Sequence, residues 1–305
     1  MNRILVTGAS GSVGGPVCEA LAAAGYAVRA AMRDPHAQVF PDSVEVARLP
    51  DLAGQVDWTP LVAGVDAAVH LAANASAQRT ARDDRHDRVN HVATATFAQA
   101  AAAAGLRRFV FISSIRAQSR PSATEPLSEA DPPRPAEAYG RSKLAAEQAV
   151  RASGVPYTIL RPAAVYGPRS KGNIARLALL AGLPIPLPFG ALRAPRSLLG
   201  LDNLISAIRF ALENARALNE TFIVADAETT NVAEIVTTLR LAAGRRAALI
   251  PVPPRLLALV FTLIGQRHTW EQLSGALIAR PKKLMAAGWH PVVDTRAGLA
   301  AMVKP

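Results

Sequence analysis

Tyr139 and Lys143 stand four positions apart (143 − 139) in Tyr139-Gly-Arg-Ser-Lys143, at the opening of a segment with helical character. On a helix that spacing puts both side chains on one face, a turn apart. A free tyrosine titrates near 10, too high for ready proton exchange at neutral pH. A neighbouring ammonium stabilises the phenolate and lowers that value. The pair therefore suits giving a proton to a carbonyl or taking one from a carbinol. Twenty-five residues upstream (139 − 114), Phe109-Val-Phe-Ile-Ser-Ser114 reads as an apolar strand ending in hydroxyls. At the carboxyl edge of a parallel sheet, where ligands of doubly wound folds sit, Ser114 is placed to hydrogen-bond a substrate oxygen beside Tyr139. Each signal alone is weak, since the Tyr–Lys spacing arises by chance and paired serines commonly begin loops. Their order along one chain carries the chemistry.

A third signal stands before both. Arg3-Ile-Leu-Val-Thr7 runs into Gly8-Ala-Ser-Gly11-Ser-Val-Gly14 and then a helix. Gly8 permits the tight turn, Gly11 lets the backbone approach a pyrophosphate, and Gly14 allows close helix–strand packing. The helix N-terminus offers unpaired N–H groups to phosphate, and Ser10, Ser12 and Val13 share the loop. The second strand ends Ala30-Ala-Met32-Arg33-Asp34. A carboxylate there grips an NAD ribose, whereas an arginine suits a 2′-phosphate. Asp34 precedes Pro35 and falls past the strand, and so Arg33 favours NADP(H), with NAD(H) as the other choice; a solvated surface Arg33 is the bland reading.

These groups need a scaffold, and the first half alternates strand and helix patterns as a parallel sheet covered on both faces does. The strands expected are Ile4–Thr7, Ala27–Met32, Ala67–His70, Phe109–Ile112 and Tyr157–Leu160. Helices are expected over Gly14–Ala24, Val89–Ala104 and Tyr139–Ala152, closed by Gly25, Gly105 and Gly154. Arg120–Pro135 is rich in Pro, Ser and acidic residues and reads as a surface loop. Beyond Pro168 the pattern loosens into a helix and Pro-rich stretch over Lys171–Phe189, a helix Leu201–Asn214, a strand Thr221–Ala225 and further helices. The fold class is thus α/β: a Rossmann-like doubly wound parallel sheet over 1–168, completed by parts of 196–226, with a smaller mixed substrate lobe over 169–305.

The ordered set Thr7–Gly14, Asp51-Leu52, His70-Leu-Ala-Ala73, Asn90, Ser113-Ser114, Tyr139…Lys143 and Arg161-Pro162…Tyr166-Gly-Pro168 resembles the extended short-chain dehydrogenases. More narrowly it is similar to bacterial nucleotide-sugar 4-epimerases and 4-keto-hexosamine reductases. The resemblance implies that Asp51 and Leu52 flank the adenine, and that Leu71, Ala72 and Ala73 line the nicotinamide-side crevice with His70, itself read as structural. It further implies a proton-relay position for Asn90 in the central helix, a nicotinamide-ribose contact for Lys143, and places for Pro162 and Tyr166 near the nicotinamide and substrate mouth. On the substrate side it implies that Asn173 and Arg196 meet a nucleotide diphosphate, and reads Trp289-His-Pro as packing. Ile115-Arg-Ala-Gln-Ser119 departs from the epimerase pattern, and Arg116 and Gln118 are expected to border the sugar instead. The activity implied is hydride transfer at C4 of a nucleotide-linked sugar, UDP-linked by analogy, ending in 4-keto reduction or 4-epimerisation. An NADPH-dependent reductase of a non-sugar ketone or aldehyde shares this core. A dinucleotide-sensing regulator without turnover is disfavoured by the Tyr–Lys pair.

Composition narrows the partners. Of 305 residues 50% are hydrophobic and 19% charged, the profile of a well-cored globule. The net charge of +11 calls for an anionic partner or solubilises the surface. Its arginines are scattered, and aromatics at 5% do not interleave with basic runs, so nucleic acid is not expected. The longest late apolar stretch, Leu256–Ile264, is far short of the roughly 20 residues that cross a bilayer. With no basic-then-apolar leader before the first strand, a cytoplasmic location without a membrane partner is expected. The lone Cys18 cannot form an internal disulfide and reads as packed, and no metal site is expected. By analogy to relatives, Val89–Ala104 and Tyr139–Ala152 form the seam of a homodimer.

Overall fold

Strands that are apolar on both faces build the centre of the molecule, seen in a computed structural model that describes residues 3–74, 83–170 and 172–303. Lys171, where the helix and Pro-rich stretch was expected to begin, lies outside the described residues. Strands β1 (Arg3–Thr7), β2 (Ala27–Met32), β3 (Val44–Arg48), β4 (Ala67–His70), β5 (Arg108–Ile112) and β6 (Tyr157–Pro162) form one sheet with β9 (Glu220–Val224). The order is β3-β2-β1-β4-β5-β6-β9 and every pairing is parallel. β7 (Ala164–Tyr166), β8 (Arg196–Gly200) and β10 (Thr229–Thr230) make a second sheet ordered β10-β8-β7.

Alternation along β1 shows how two cores arise from one strand. Ile4 and Val6 face a cluster with Val17 and Leu21 of α1 (Gly14–Ala23) and Leu204 and Ile208 of α8 (Leu201–Glu213). Leu5 faces the other way, toward Phe97 and Ala101 of α4 (Ala93–Ala103) and Ala146 and Val150 of α6 (Ala138–Ala152). Between β3 and β5 also lie the short α2 (Thr59–Val62) and α3 (Asp83–His86), and α5 (Ile115–Gln118) follows β5. The remaining helices are α7 (Asn173–Ala181), α9 (Val232–Ala242), α10 (Pro254–Leu263), α11 (Arg267–Ser274), α12 (Lys282–Ala286) and α13 (Thr295–Ala301). All but α12, whose Leu284 joins the first cluster, meet in a separate cluster that includes Leu177, Ile235, Leu257, Leu273 and Leu299.

Gly25, Gly105 and Gly154 end α1, α4 and α6 with φ of 87°, 71° and 79°, the left-handed cap that a side chain resists. Two departures from the sequence reading have local causes. β3 was not anticipated because its pattern is Beeie, one buried residue in five, which is an edge strand with little periodic signal. The helix expected over Val89–Ala104 is α-helical only from Ala93, and a π-helical turn, Asp87–Val92, precedes it. Such turns widen the helix locally and displace a side chain, here Asn90.

Candidate active site

α6 starts from the extended Glu137 and packs hard on the turn after β5: a Cβ at Gly140 would collide with the Arg116 carbonyl oxygen. That approach sets Tyr139 beside Ser114. The Ser114 hydroxyl lies near enough to lower the phenol's affinity for its proton, while Ser114 Oγ accepts the Arg116 amide at 3.1 Å and caps α5. Burial raises the phenol above its ordinary value, against the pull of Ser114 and the Arg116 charge. One turn on, Lys143 is 1% exposed, its Nζ donating to the Ile112 carbonyl at 2.8 Å and lying 4.7 Å from the Phe111 ring centroid. Burial pushes its ammonium down to about 7, and Glu147 opposes the shift. α6 thus holds a neutral phenol and, one turn further on, an amine that titrates near neutrality.

Glu147 lies one further turn along the same helical face and was not singled out from sequence. It is fully buried and accepts Ser113 Oγ at 2.6 Å and Arg161 through Nε at 2.8 Å and Nη2 at 2.6 Å. Arg161 also donates to Gln118 Oε1. Gln118 was expected to border the sugar, but it is buried, with Nε2 donating to the Ser128 and Asp131 carbonyls at 3.1 and 2.7 Å. It pins the loop before α6. The i, i+4 spacing of Lys143 and Glu147 was the available signal; Arg161 has none, because only folding brings β6 to α6.

Asn90 is buried and clamps the segment after β4. Its Oδ1 accepts the Asn74 amide at 2.7 Å, while Nδ2 donates to the Asn74 carbonyl and to Ser142 Oγ, both at 3.0 Å. Ser142 in turn donates to the Tyr139 carbonyl at 2.9 Å. Asn90 therefore ties the segment after β4 to the first turn of α6. His70 bridges Thr7 Oγ1 at 2.6 Å and Thr94 Oγ1 at 2.9 Å, and burial lowers it to about 3, which keeps it neutral. Cys18, buried in α1, is pushed up to about 12 by its surroundings and is inert as a thiol.

A cavity of about 400 Å³ opens at the carboxyl ends of β1, β2 and β4. Gly8, Ser10 and Gly11 form one wall, Met32, Arg33, Asp51 and Leu52 another, and Leu71, Ala72 and Ala73 a third. Ser12 and Val13 continue the loop into α1 without lining it. A Cβ on Gly8, whose φ is 75°, would come within 2.8 Å of the Ala72 amide, and one on Gly14 would strike the Gly8 carbonyl. Only glycine lets the turn close this tightly, and the cradle fits the adenosine end of a dinucleotide. Arg33 is exposed at the rim, and Asp34 is turned away, accepting the His36 amide at 3.0 Å.

A second cavity, about 240 Å³, is lined by Ser114, Arg116, Pro162, Asn173, Arg196 and Gln272 among others. Arg116 pairs with Glu137 at 3.2 Å. Asn173 Nδ2 donates to Gln272 Oε1 at 2.7 Å. Arg196 is stitched to α11, with Nη1 donating to the Gln272 carbonyl at 2.8 Å and Nη2 to those of Leu273 and Gly275 at 2.7 and 2.8 Å. Its buried Nε has no hydrogen-bond partner among the described residues. Tyr166, expected at the substrate mouth, is 1% exposed and donates to Asp226 at 2.9 Å, locking β7 beneath α13. Trp289 is buried, with Nε1 on Ser206 Oγ at 3.2 Å.

Residues 4–225 match the model of the NAD dependent epimerase/dehydratase family. The chain is 32% identical over 312 residues to a UDP-glucose 4-epimerase of Vibrio cholerae, with 97% of this chain and 92% of that protein covered. Among solved structures, an epimerase of Methanothermobacter thermautotrophicus superposes with a TM-score of 0.81 at 19% identity, covering 99% of this chain and 91% of the other. A UDP-glucuronic acid 4-epimerase of Bacillus cereus in complex with NAD gives 0.79 at 22%, over 99% and 97%. At those identities the structures speak for the fold, and the sequence match speaks for descent. The chain belongs to the NAD dependent epimerase/dehydratase family.

Proposed function

We propose that this protein is an NAD(P)-dependent enzyme of nucleotide-sugar metabolism that transfers hydride at C4 of a UDP-linked sugar, in 4-keto reduction or 4-epimerisation. One observation carries the reading: Ser114 lies close enough to the Tyr139 phenol to favour its ionised form and also lines the second cavity, which supports proton transfer at the edge of a ligand-sized space. A bound nicotinamide supplies the hydride acceptor or donor and, when oxidised, a positive charge. The chain does the rest. Tyr139 gives its proton to, or takes it from, the oxygen on C4, Ser114 fixes that oxygen, and Lys143 favours the phenolate electrostatically. Lys143 also serves as the ribose contact.

Gly8, Ser10, Gly11, Ser12, Val13 and Gly14 form the phosphate side of the dinucleotide site, with Asp51, Leu52, Leu71, Ala72, Ala73 and Pro162 along the cofactor's length. Arg33 at the rim supports NADP(H) over NAD(H), since a guanidinium complements a 2′-phosphate. On the substrate side Arg116, Asn173 and Arg196 share one cavity, and the unpartnered Arg196 Nε is a donor suited to a phosphate oxygen. A homodimer joined through α4 and α6 belongs to the same reading. The apolar part of that cavity, Ile115, Val165, Ile174 and Leu277 among it, favours a second reading, reduction of a non-sugar ketone.

Incubation with UDP-sugars and 4-keto UDP-sugars, followed by NADPH absorbance and product NMR, tests the proposal. Inversion or reduction at C4 is expected. Binding of dinucleotide without turnover of any sugar nucleotide, together with reduction of simple ketones, would move the assignment to the second reading.

A further inference from the structure

α10 wears its pattern inside out. Leu257 points into the lobe's apolar cluster, and Phe261 packs against that cluster and tilts toward Trp270. Leu256, Leu259, Val260, Leu263 and Ile264, at the three- and four-residue spacing of one helical stripe, are each more than half exposed. A surface helix of a soluble domain shows polar groups there, and a contiguous apolar stripe marks a contact surface. More apolar surface adjoins it. The segment after α7 runs beside the approach to α10: Leu187 accepts the Ile250 amide at 2.9 Å, and Arg240 Nη1 holds the Leu183 and Ile185 carbonyls at 3.3 and 3.1 Å. Ile185 and Ile250 are themselves half exposed or more.

Charge says what covers this face. No Asp or Glu occurs in residues 235–270, which carry five arginines, nor in 148–201. Arg255 stands at the start of α10 and Arg245 and Arg246 in the segment leading to it; all three are exposed, and no ion pair engages them among the described residues. An apolar stripe with an unpaired arginine at its start, two more in the segment leading to it and no carboxylate along α10 itself complements an anionic bilayer surface, with hydrocarbon-facing leucines and headgroup-facing guanidiniums. No described helix is long and apolar enough to cross a membrane, and α10 with its ten residues would lie in the interface plane. The expectation of no membrane partner rested on the absence of a spanning segment, which leaves a helix lying on the surface untouched.

We propose that the α10 face docks the protein on anionic lipid bilayers. α11 follows directly and is tied by Arg196 to the wall of the second cavity, and so docking would hold that cavity close to the bilayer surface. The inference is independent of which substrate is turned over, and its test does not use activity. Full-length protein is sedimented with phosphatidylglycerol-rich vesicles and with vesicles of phosphatidylcholine alone. Binding to the first and not the second is expected, falling with added salt as screening grows. The exposed double variant Leu259→Asp/Leu263→Asp should lower the bound fraction at least about tenfold, and Arg245→Gln/Arg246→Gln about tenfold. Both should keep the wild-type melting temperature and dinucleotide affinity. No sedimentation with anionic vesicles overturns the proposal, as does binding that both double variants leave unchanged. So does a wild-type molecular mass in solution that Leu259→Asp/Leu263→Asp halves, because a second copy would then be covering the stripe.

Discussion

Replacing Glu147 by glutamine puts the polar layer beneath Tyr139 and Lys143 under test. The carboxylate is fully buried and receives Ser113, two nitrogens of Arg161 and, at 3.1 Å, Arg151. Glutamine keeps the shape and one acceptor oxygen, but it removes the charge and turns an N–H₂ toward a guanidinium that is itself 3% exposed. Leaving a buried charge without its counter-ion costs about 3–5 kcal/mol, a large share of the roughly 5–15 kcal/mol that holds a domain folded. At roughly 2–4 °C per kcal/mol for a domain of this size class, the melting temperature should fall on the order of 10 °C. Because Glu147 also opposes the burial shift on Lys143, its loss should carry the ammonium further below about 7. The sign follows: the variant's Lys143 loses its proton at lower pH, so the alkaline edge of any lysine-dependent step moves toward acid. Thermal unfolding by circular dichroism reads the first effect and the pH profile of kcat reads the second. Glu147→Leu/Arg161→Met, which removes both charges, should recover much of the stability. A melting temperature within about 2 °C of wild type for Glu147→Gln would refute the reasoning, since the guanidinium would then be finding another partner or water.

Tyr139→Phe removes only the phenolic oxygen, and kcat should drop about 10²–10⁴-fold while dinucleotide affinity by fluorescence titration stays within a factor of about two. Arg33→Ala should weaken NADPH about tenfold and leave NADH nearly unchanged, the expected size of one lost charged phosphate contact; equal effects on both would remove Arg33 from cofactor choice. His70 takes its proton at about 3 in the folded chain against the usual 6.5 when unfolded. The unfolded state thus binds more protons in that window, and stability is full above pH 6.5 and lost on acidification toward 3. Between pH 6.5 and 5 the loss is about 2 kcal/mol, to be read as a shift in urea midpoint that His70→Asn should flatten.

Apart from its edge strand β3, the parallel sheet was legible because its inner strands are apolar on both faces and α1, α4 and α6 end at glycines, signals that live within a dozen residues of one another. Tyr139, Lys143 and Ser114 were legible for the same reason: one turn of helix and one strand end encode them locally. Gln118 and Tyr166 were misjudged because sequence nearness to a motif says nothing of side-chain direction. Gln118 turns inward to Arg161, 43 positions away, and Tyr166 reaches Asp226, 60 positions away.

By itself, then, the order of residues determined the sheet, the glycine turn and the presence of a phenol and an amine on one helical face, since each depends on short-range periodicity and backbone conformation. Tertiary structure alone decided which charges are buried and paired. Glu147 and Arg161 become partners, Arg196 becomes a strut for α11, and α10 turns its leucines outward only when distant elements close around them. Burial and pairing are properties of neighbours in space, and a linear pattern carries no distance between its ends.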